Sequence, residues 1–244
     1  TAGGYTNLSA AGYDIYDNTV TLTALSWASS GGAIDIWGNF TTTISGQYTV
    51  WANDSGVSGE IIIHVDAAPL QTITITPADP TITVAGVQLF KASGTDVYGN
   101  PVPLTGLVWE TDGGAIDADG LYTPGPTGTW NVWANCSGRS GTTTIQVDPA
   151  SLDYITIIGS SAITAGGYTN LSAAGYDIYD NPVGFTALSW ASSGGTVDAL
   201  GNFTATFVGQ YTVCVNYCGF SASIKITVGA DASHTITVTP SDPS

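Results

Sequence analysis

Along most of the chain, apolar and polar residues alternate with a period of two. Leu8, Ala10 and Gly12 alternate with Asn7, Ser9 and Ala11, and Tyr48, Val50 and Ala52 alternate with Thr49, Trp51 and Asn53. This period sends successive side chains to opposite faces of a short strand. Turns rich in Gly, Asn and Asp interrupt the pattern at roughly the 8–12-residue spacing of a sandwich. No stretch carries the 3.6-residue apolar period of an amphipathic helix. The pattern predicts an all-β protein.

The pattern also repeats. Residues Thr1 to Asn18 read TAGGYTNLSAAGYDIYDN, and Thr164 to Asn181 repeat them letter for letter. TALSWASSGG from Thr23 to Gly32 recurs from Thr186 to Gly195. A diverged middle copy runs through Thr83-Val84-Ala85-Gly86, the Asp96–Asn100 turn, Val108-Trp109 and Gly114–Asp117. Fixed self-similarity of this kind marks an array of like modules. The expected boundaries are residues 1–66, 67–148 and 149–230, with 231–244 as a further strand.

Each copy is expected to hold about seven strands. A Trp follows Leu-Ser or Leu-Val in the third strand, at Trp27, Trp109 and Trp190. A Gly-x-aromatic-x-Val motif opens the sixth, from Gly46, Gly128 and Gly209. This pairing resembles the immunoglobulin-like sandwich, with its core Trp on one strand and its corner Tyr at the start of another. The initial Ile-Thr-Ile-Thr-Pro strand, the Tyr-Gly-Asn turn and the terminal Ile-x-Val strand are similar to the tandem bacterial and archaeal Ig-like domains of cell-surface or extracellular filament proteins. Two departures stand out: Trp130 takes the place of the corner Tyr, and no copy has the Cys pair of antibody domains. The resemblance implies three tandem Ig-like β-sandwiches serving as stalks, adhesin shafts or surface-layer parts.

The first strand of the second copy is Ile73-Thr74-Ile75-Thr76-Pro77, and that of the third is Ile155-Thr156-Ile157-Ile158. A further strand of this type, Ile236-Thr237-Val238-Thr239-Pro240, follows the third copy, while no such strand precedes the first. The copy offsets of 82, 81 and 81 residues close on the chain length of 244. The chain therefore reads as one period of a continuing array, cut just after its strand A. An unpaired edge beside an apolar groove demands a partner. Ile236, Val238 and Pro240 are expected to supply it to the next unit, either by donor-strand complementation between subunits or within one long repetitive chain.

Composition narrows the class. Three basic residues stand against 19 acidic ones, a net charge of -16. That balance argues against nucleic acid, which requires a basic patch, and against anionic membrane surfaces. No apolar run approaches the roughly 18–20 residues of a membrane-spanning helix, so no membrane insertion is expected. No signal-peptide pattern is present, and Thr1 is expected to follow a processed or trimmed leader. With only 9% charged residues, hydroxyl groups must supply surface polarity. Few tryptic sites and no Met fit an extracellular, cell-surface location.

Candidate chemistry is sparse. His64 and His234 have no recurring Ser, Cys or carboxylate beside them, so no enzyme and no catalytic residue is expected. Cys214 and Cys218 are four residues apart, and a local disulfide across a turn requires their Cα atoms to approach about 5.5–6 Å; Cys136 is then free or links neighbours. Asp66, Asp148 and Asp231 near the ends of last strands, with Asp79 and Asp242 between prolines, offer oxygen ligands for Ca2+ at module joints. The competing reading makes them turn formers beside Pro. Sequons begin at Asn7, Asn39, Asn53, Asn135, Asn170 and Asn202. Asn7 and Asn170 point outward by alternation and the other four are expected in turns, where glycans would solubilise a nearly uncharged surface. The expected function is the structural repeating unit of an extracellular filament, a homopolymer joined through strand A. The alternative is the shaft or binding module of a cell-surface adhesin.

Overall fold

The computed structural model describes residues 1–232 and 234–238. Every regular element among them is a β-strand. The chain divides into two compact units, Thr1–Ile82 with Gly86–Val147 and Thr83–Ala85 with Asp148–Ser244.

In the second unit, Gly209–Tyr217 and Phe220–Gly229 form a long antiparallel hairpin. Ser189–Ser192 pairs along its outer side, and Ala162–Thr164 runs parallel to Phe220–Gly229. A second sheet joins Leu152–Ile158 to Ser172–Asp177 and then to Pro182–Val183. Tyr168–Asn170, Asn202–Thr204 and Thr196–Val197 make a third, small sheet. The period-two pattern explains the core. Val213, Val215, Ile226 and Val228 face inward with Leu171 and Phe203, all buried. Their neighbours Thr227 and Asn216 face solvent.

The first unit contains two further sets of strands on the same plan. In the later set, the hairpin is Gly128–Cys136 with Arg139–Asp148, and Thr72–Thr76 pairs with Lys91–Thr95. Ile73 and Ile75 are buried while Thr72, Thr74 and Thr76 face out, as the Ile-Thr-Ile-Thr alternation dictates. In the earlier set, the hairpin is Gly46–Asp54 with Val57–Val65, and Ala2, Phe40, Val50 and Val65 form the core.

The corner position recurs with one bond. Tyr48 Oη donates to Ile44 O at 2.9 Å and Tyr211 Oη to Phe207 O at 3.0 Å, each four residues back. Trp130 keeps the bond with a different donor, its indole Nε1 reaching Pro126 O at 3.0 Å. The departure at Trp130 is thus chemically conservative. A glycine lies under each ring: Gly31, Gly113 and Gly194 would place a Cβ within about 3 Å of it.

Carboxylates close the turns. Asp96 Oδ1 accepts the N–H groups of Tyr98 and Asn100 at 2.8 Å, and its Oδ2 accepts Asn100 Nδ2 and the Ala68 N–H. Asp177 repeats the arrangement with Tyr179, Asn181 and Ala150. Burial pushes both carboxyls up, but the Asn amide and the backbone N–H donors outweigh it and hold both below the usual 3.8. A depressed folded value means stability that is present above pH 3.8 and lost as the pH falls through the folded values.

Two outcomes follow. Phe203→Ala empties a fully buried ring site and is expected to cost about 3–5 kcal/mol in denaturant unfolding. Unfolding midpoints should hold steady at neutral pH and fall below pH 3.8, and Asp177→Asn, which has no carboxylate to protonate, should flatten that acid limb.

Candidate functional site: an uncovered strand groove

Two stretches of identical sequence fold differently. Ser172–Asp177 is a six-residue strand, paired along its length with Leu152–Ile158. Its counterpart in the first copy keeps only Gly12–Tyr13 as a strand, paired to Thr19–Val20 on one side. The burial differs in step. Asp177 is fully buried and Asp14 exposed; Tyr176 stacks on Tyr154 with ring centroids 5.2 Å apart, whereas Tyr13 is 62% exposed. Since the residues are the same, the difference comes from the covering strand, not from local propensity.

The place of that strand in the first copy is a cavity of about 610 Å³ between Ala10–Tyr13 and Val57–Ile61. Leu22, Leu25, Trp27 and Ala52 form its floor. No strand among the described residues covers it. Glycines calibrate the vacancy. A Cβ at Gly141 would stand 2.6 Å from Ile73 O, because the backbone of Thr72–Thr76 passes directly over it. Gly59, the equivalent residue of the first copy, has nothing within 4 Å. Ile61 is 51% exposed where its counterpart Thr143 is buried, and the indole N–H of Trp27 is buried without a partner among the described residues. The groove therefore leaves apolar surface uncovered.

Register follows from the covered copies. Ile73 pairs with Gly94 and Ile75 with Ala92; Ile155 pairs with Gly175 and Ile157 with Ala173. The equivalent acceptors in the open groove are Gly12 and Ala10. Ile236 and Val238 carry the matching apolar spacing, are each 87% exposed, and lie in no strand. Pro240 and Asp242 lie outside the described residues.

The other sequence candidates do not converge. Among the described residues no three His, Cys, Asp or Glu side chains gather as a metal site. Asp66 and Asp231 are exposed. Asp79 spends its carboxylate on Thr143 and Thr144, whose N–H and hydroxyl donors hold it below its usual value, and Asp148 stands half-buried at the end of Arg139–Asp148. The expected Cys214–Cys218 disulfide is corrected: all three cysteines are free. The strand runs on through Tyr217, so Cys214 and Cys218 are four extended residues apart, about 13 Å. Cys136 is buried, its thiol donating to Thr105 O at 3.2 Å.

The sequons at Asn39, Asn53, Asn135 and Asn202 lie on strands rather than in turns. Asn39 and Asn202 donate Nδ2 to Asp35 and Asp198 at 2.8 Å, and Asn135 to Glu110 at 2.8 Å. Asn7, whose Nδ2 reaches Asn39 Oδ1 at 2.9 Å, Asn53 and Asn170 are exposed. His64 sits opposite Gln47 on the hairpin, their Nε2 atoms 3.4 Å apart, and His234 is exposed.

The glycine pair offers a direct test. Gly141→Val must push aside the backbone at Ile73 and is expected to cost about 1–3 kcal/mol of stability. Gly59→Val meets open space and should change the unfolding free energy by less than about 0.5 kcal/mol.

No protein-family model matches the chain. Over 254 aligned residues it is 25% identical to Ice-binding protein 1 of Shewanella frigidimarina, taking in 93% of this chain and 28% of that protein. Among solved structures it is similar to invasin, a bacterial integrin-binding protein, with a TM-score of 0.52 at 16% identity, over 93% of this chain and 56% of that one. It is also similar to the Escherichia coli adhesin FdeC, with a TM-score of 0.47 at 18% identity, over 88% of this chain and 89% of that one. The chain thus spans under a third of the curated relative and just over half of the invasin structure. The fold is all-β and of the immunoglobulin-like, invasin type.

Proposed function

We propose that the chain is a non-enzymatic structural repeating unit of an extracellular, cell-surface filament, joined head to tail with copies of itself. In this reading a strand of the Ile236–Pro240 type fills the open groove of the first copy. It is supplied either by a separate subunit or by the preceding stretch of one continuous repetitive chain. The observation that carries the reading is the pair of identical segments, Thr1–Asn18 and Thr164–Asn181: among the described residues a covering strand lies on the second and none on the first. A filled groove would extend Gly12–Tyr13 to the length of Ser172–Asp177 and bury Ile61 and Leu25. The named surface and ice-binding proteins that the chain is similar to support a location outside the cell. Glycans at the exposed Asn7, Asn53 and Asn170 would add solubility to a surface short of charge. Among the described residues no clustering of side chains supports occupancy by Ca2+.

Electron microscopy and sedimentation of the 244-residue chain are expected to show fibres. Ile236→Asp with Val238→Asp places charge in the apolar groove and should abolish them without changing the fold of the chain. Denaturing electrophoresis of the native material separates the two forms: a band near 24.9 kDa plus glycan for exchanged strands, and very high mass for a continuous chain. A monodisperse monomer in both experiments would return the assignment to an adhesin shaft.

A further inference from the structure

Within the first unit, one turn of the later set of strands grips the earlier set. Asn100 is buried, donates Nδ2 to Thr43 O at 2.8 Å and accepts the Ser45 N–H on Oδ1 at 2.9 Å. Two residues back, the Tyr98 ring lies over Gly3: a Cβ there would fall 2.1 Å from the phenol oxygen. The seat has a φ of +80°, and its own N–H is bonded to Thr42 O at 2.8 Å. Only glycine meets both demands, a left-handed backbone and a ring in van der Waals contact.

The same seat exists in the second unit. Ala2-Gly3-Gly4-Tyr5 recurs as Ala165-Gly166-Gly167-Tyr168. Gly166 has a φ of +82° and its N–H bonds Ala205 O at 2.8 Å, so the socket is already formed. Nothing lies within 4 Å of where its Cβ would stand. The adjoining loop, Thr206-Phe207-Val208 in place of Thr43-Ile44-Ser45, leaves Phe207 78% and Val208 61% exposed.

The matching plug is exposed too. Asp14-Ile15-Tyr16-Asp17-Asn18 holds the shape of Asp96–Asn100, with Asp14 Oδ1 accepting the N–H groups of Tyr16 and Asn18 at 2.9 Å. Ile15 is 89% and Tyr16 78% exposed. Neither Ala165–Tyr168 nor Ala205–Gly209 carries a charge, so an acidic turn meets no like charge in the socket. We infer that the Asp14–Asn18 turn of one copy docks into the socket of another copy, with Tyr16 over Gly166 and Asn18 bonded to Thr206 O and the Val208 N–H. The inference rests on the strand-joined array proposed above and gives its joint a second contact, set by side chains outside the groove.

The test is disulfide trapping in assembled fibres of the full chain, with Cys214→Ser and Cys218→Ser removing the accessible background thiols. Asn18→Cys with Val208→Cys is expected to give a ladder of multiples of the chain mass on non-reducing denaturing gels, collapsing with reductant. Tyr16→Ala, at a side chain 78% exposed in the free chain, is expected to raise the concentration needed for assembly by about tenfold, as for a truncated aromatic anchor. Fibres with no ladder and no response to Tyr16→Ala would overturn the docking contact and leave the strand joint standing. Failure of the unmodified chain to form fibres would overturn both.

Discussion

A strand that borders an apolar interior must have its backbone N–H and C=O groups paired and its inner face covered, and the architecture follows from how each copy meets that demand. Where Leu152–Ile158 lies beside Ser172–Asp177, the buried Asp177, the stacked Tyr154 and Tyr176 and the sealed Val213–Ile226 core appear together. In the first copy, where no strand among the described residues takes that place, the same residues shorten to a two-residue strand and border a trough. Backbone pairing and apolar burial are lost at once because a single segment supplies both.

Much of this was legible from residues alone. The Ile-Thr alternation of 73–76 placed its isoleucines inward, and the recurring Trp and corner aromatics marked the sandwich. The Ile236–Pro240 pattern repeats the apolar spacing of Ile73–Pro77, which in the middle copy lies in and just after the paired strand Thr72–Thr76. Other features required three dimensions. Nothing in the spacing of Cys214 and Cys218 tells that the strand continues through Tyr217, since a two-residue turn can begin at either position. Four sequon asparagines are expected in turns because Asn favours them, yet they sit near strand ends: Asn39 and Asn202 spend their amides on the turn carboxylates Asp35 and Asp198, and Asn135 on Glu110 across the strand pair. The socket at Gly166 is invisible in sequence. A Gly-Gly pair reads as a bend until the ring over its twin, Gly3, shows what the missing Cβ makes room for.

The acidic residues have a local reason as well as a global one. Asp14, Asp35, Asp96, Asp177 and Asp198 each satisfy backbone N–H groups two and four residues ahead, and each is held below its ordinary value first by the Asn side-chain amide four residues on and then by those N–H donors. Turn closure by a carboxylate fixes hairpin register without side-chain bulk. That leaves the strands free to diverge, as the middle copy has done while keeping its turns. It also shows how a chain with few cations carries many anions: these carboxylates are matched by backbone N–H groups and Asn amides rather than by Lys or Arg.

The grip of Asn100 on Thr43 and Ser45 is made entirely of neutral groups, an amide against two main-chain atoms. Dissolved ions weaken attraction between opposite charges but have little hold on such a bond. What they do weaken is the mutual repulsion of acidic surfaces. Across a range from fresh water to brine, a joint of this kind would only tighten as salinity rises, the reverse of contacts fastened by ion pairs.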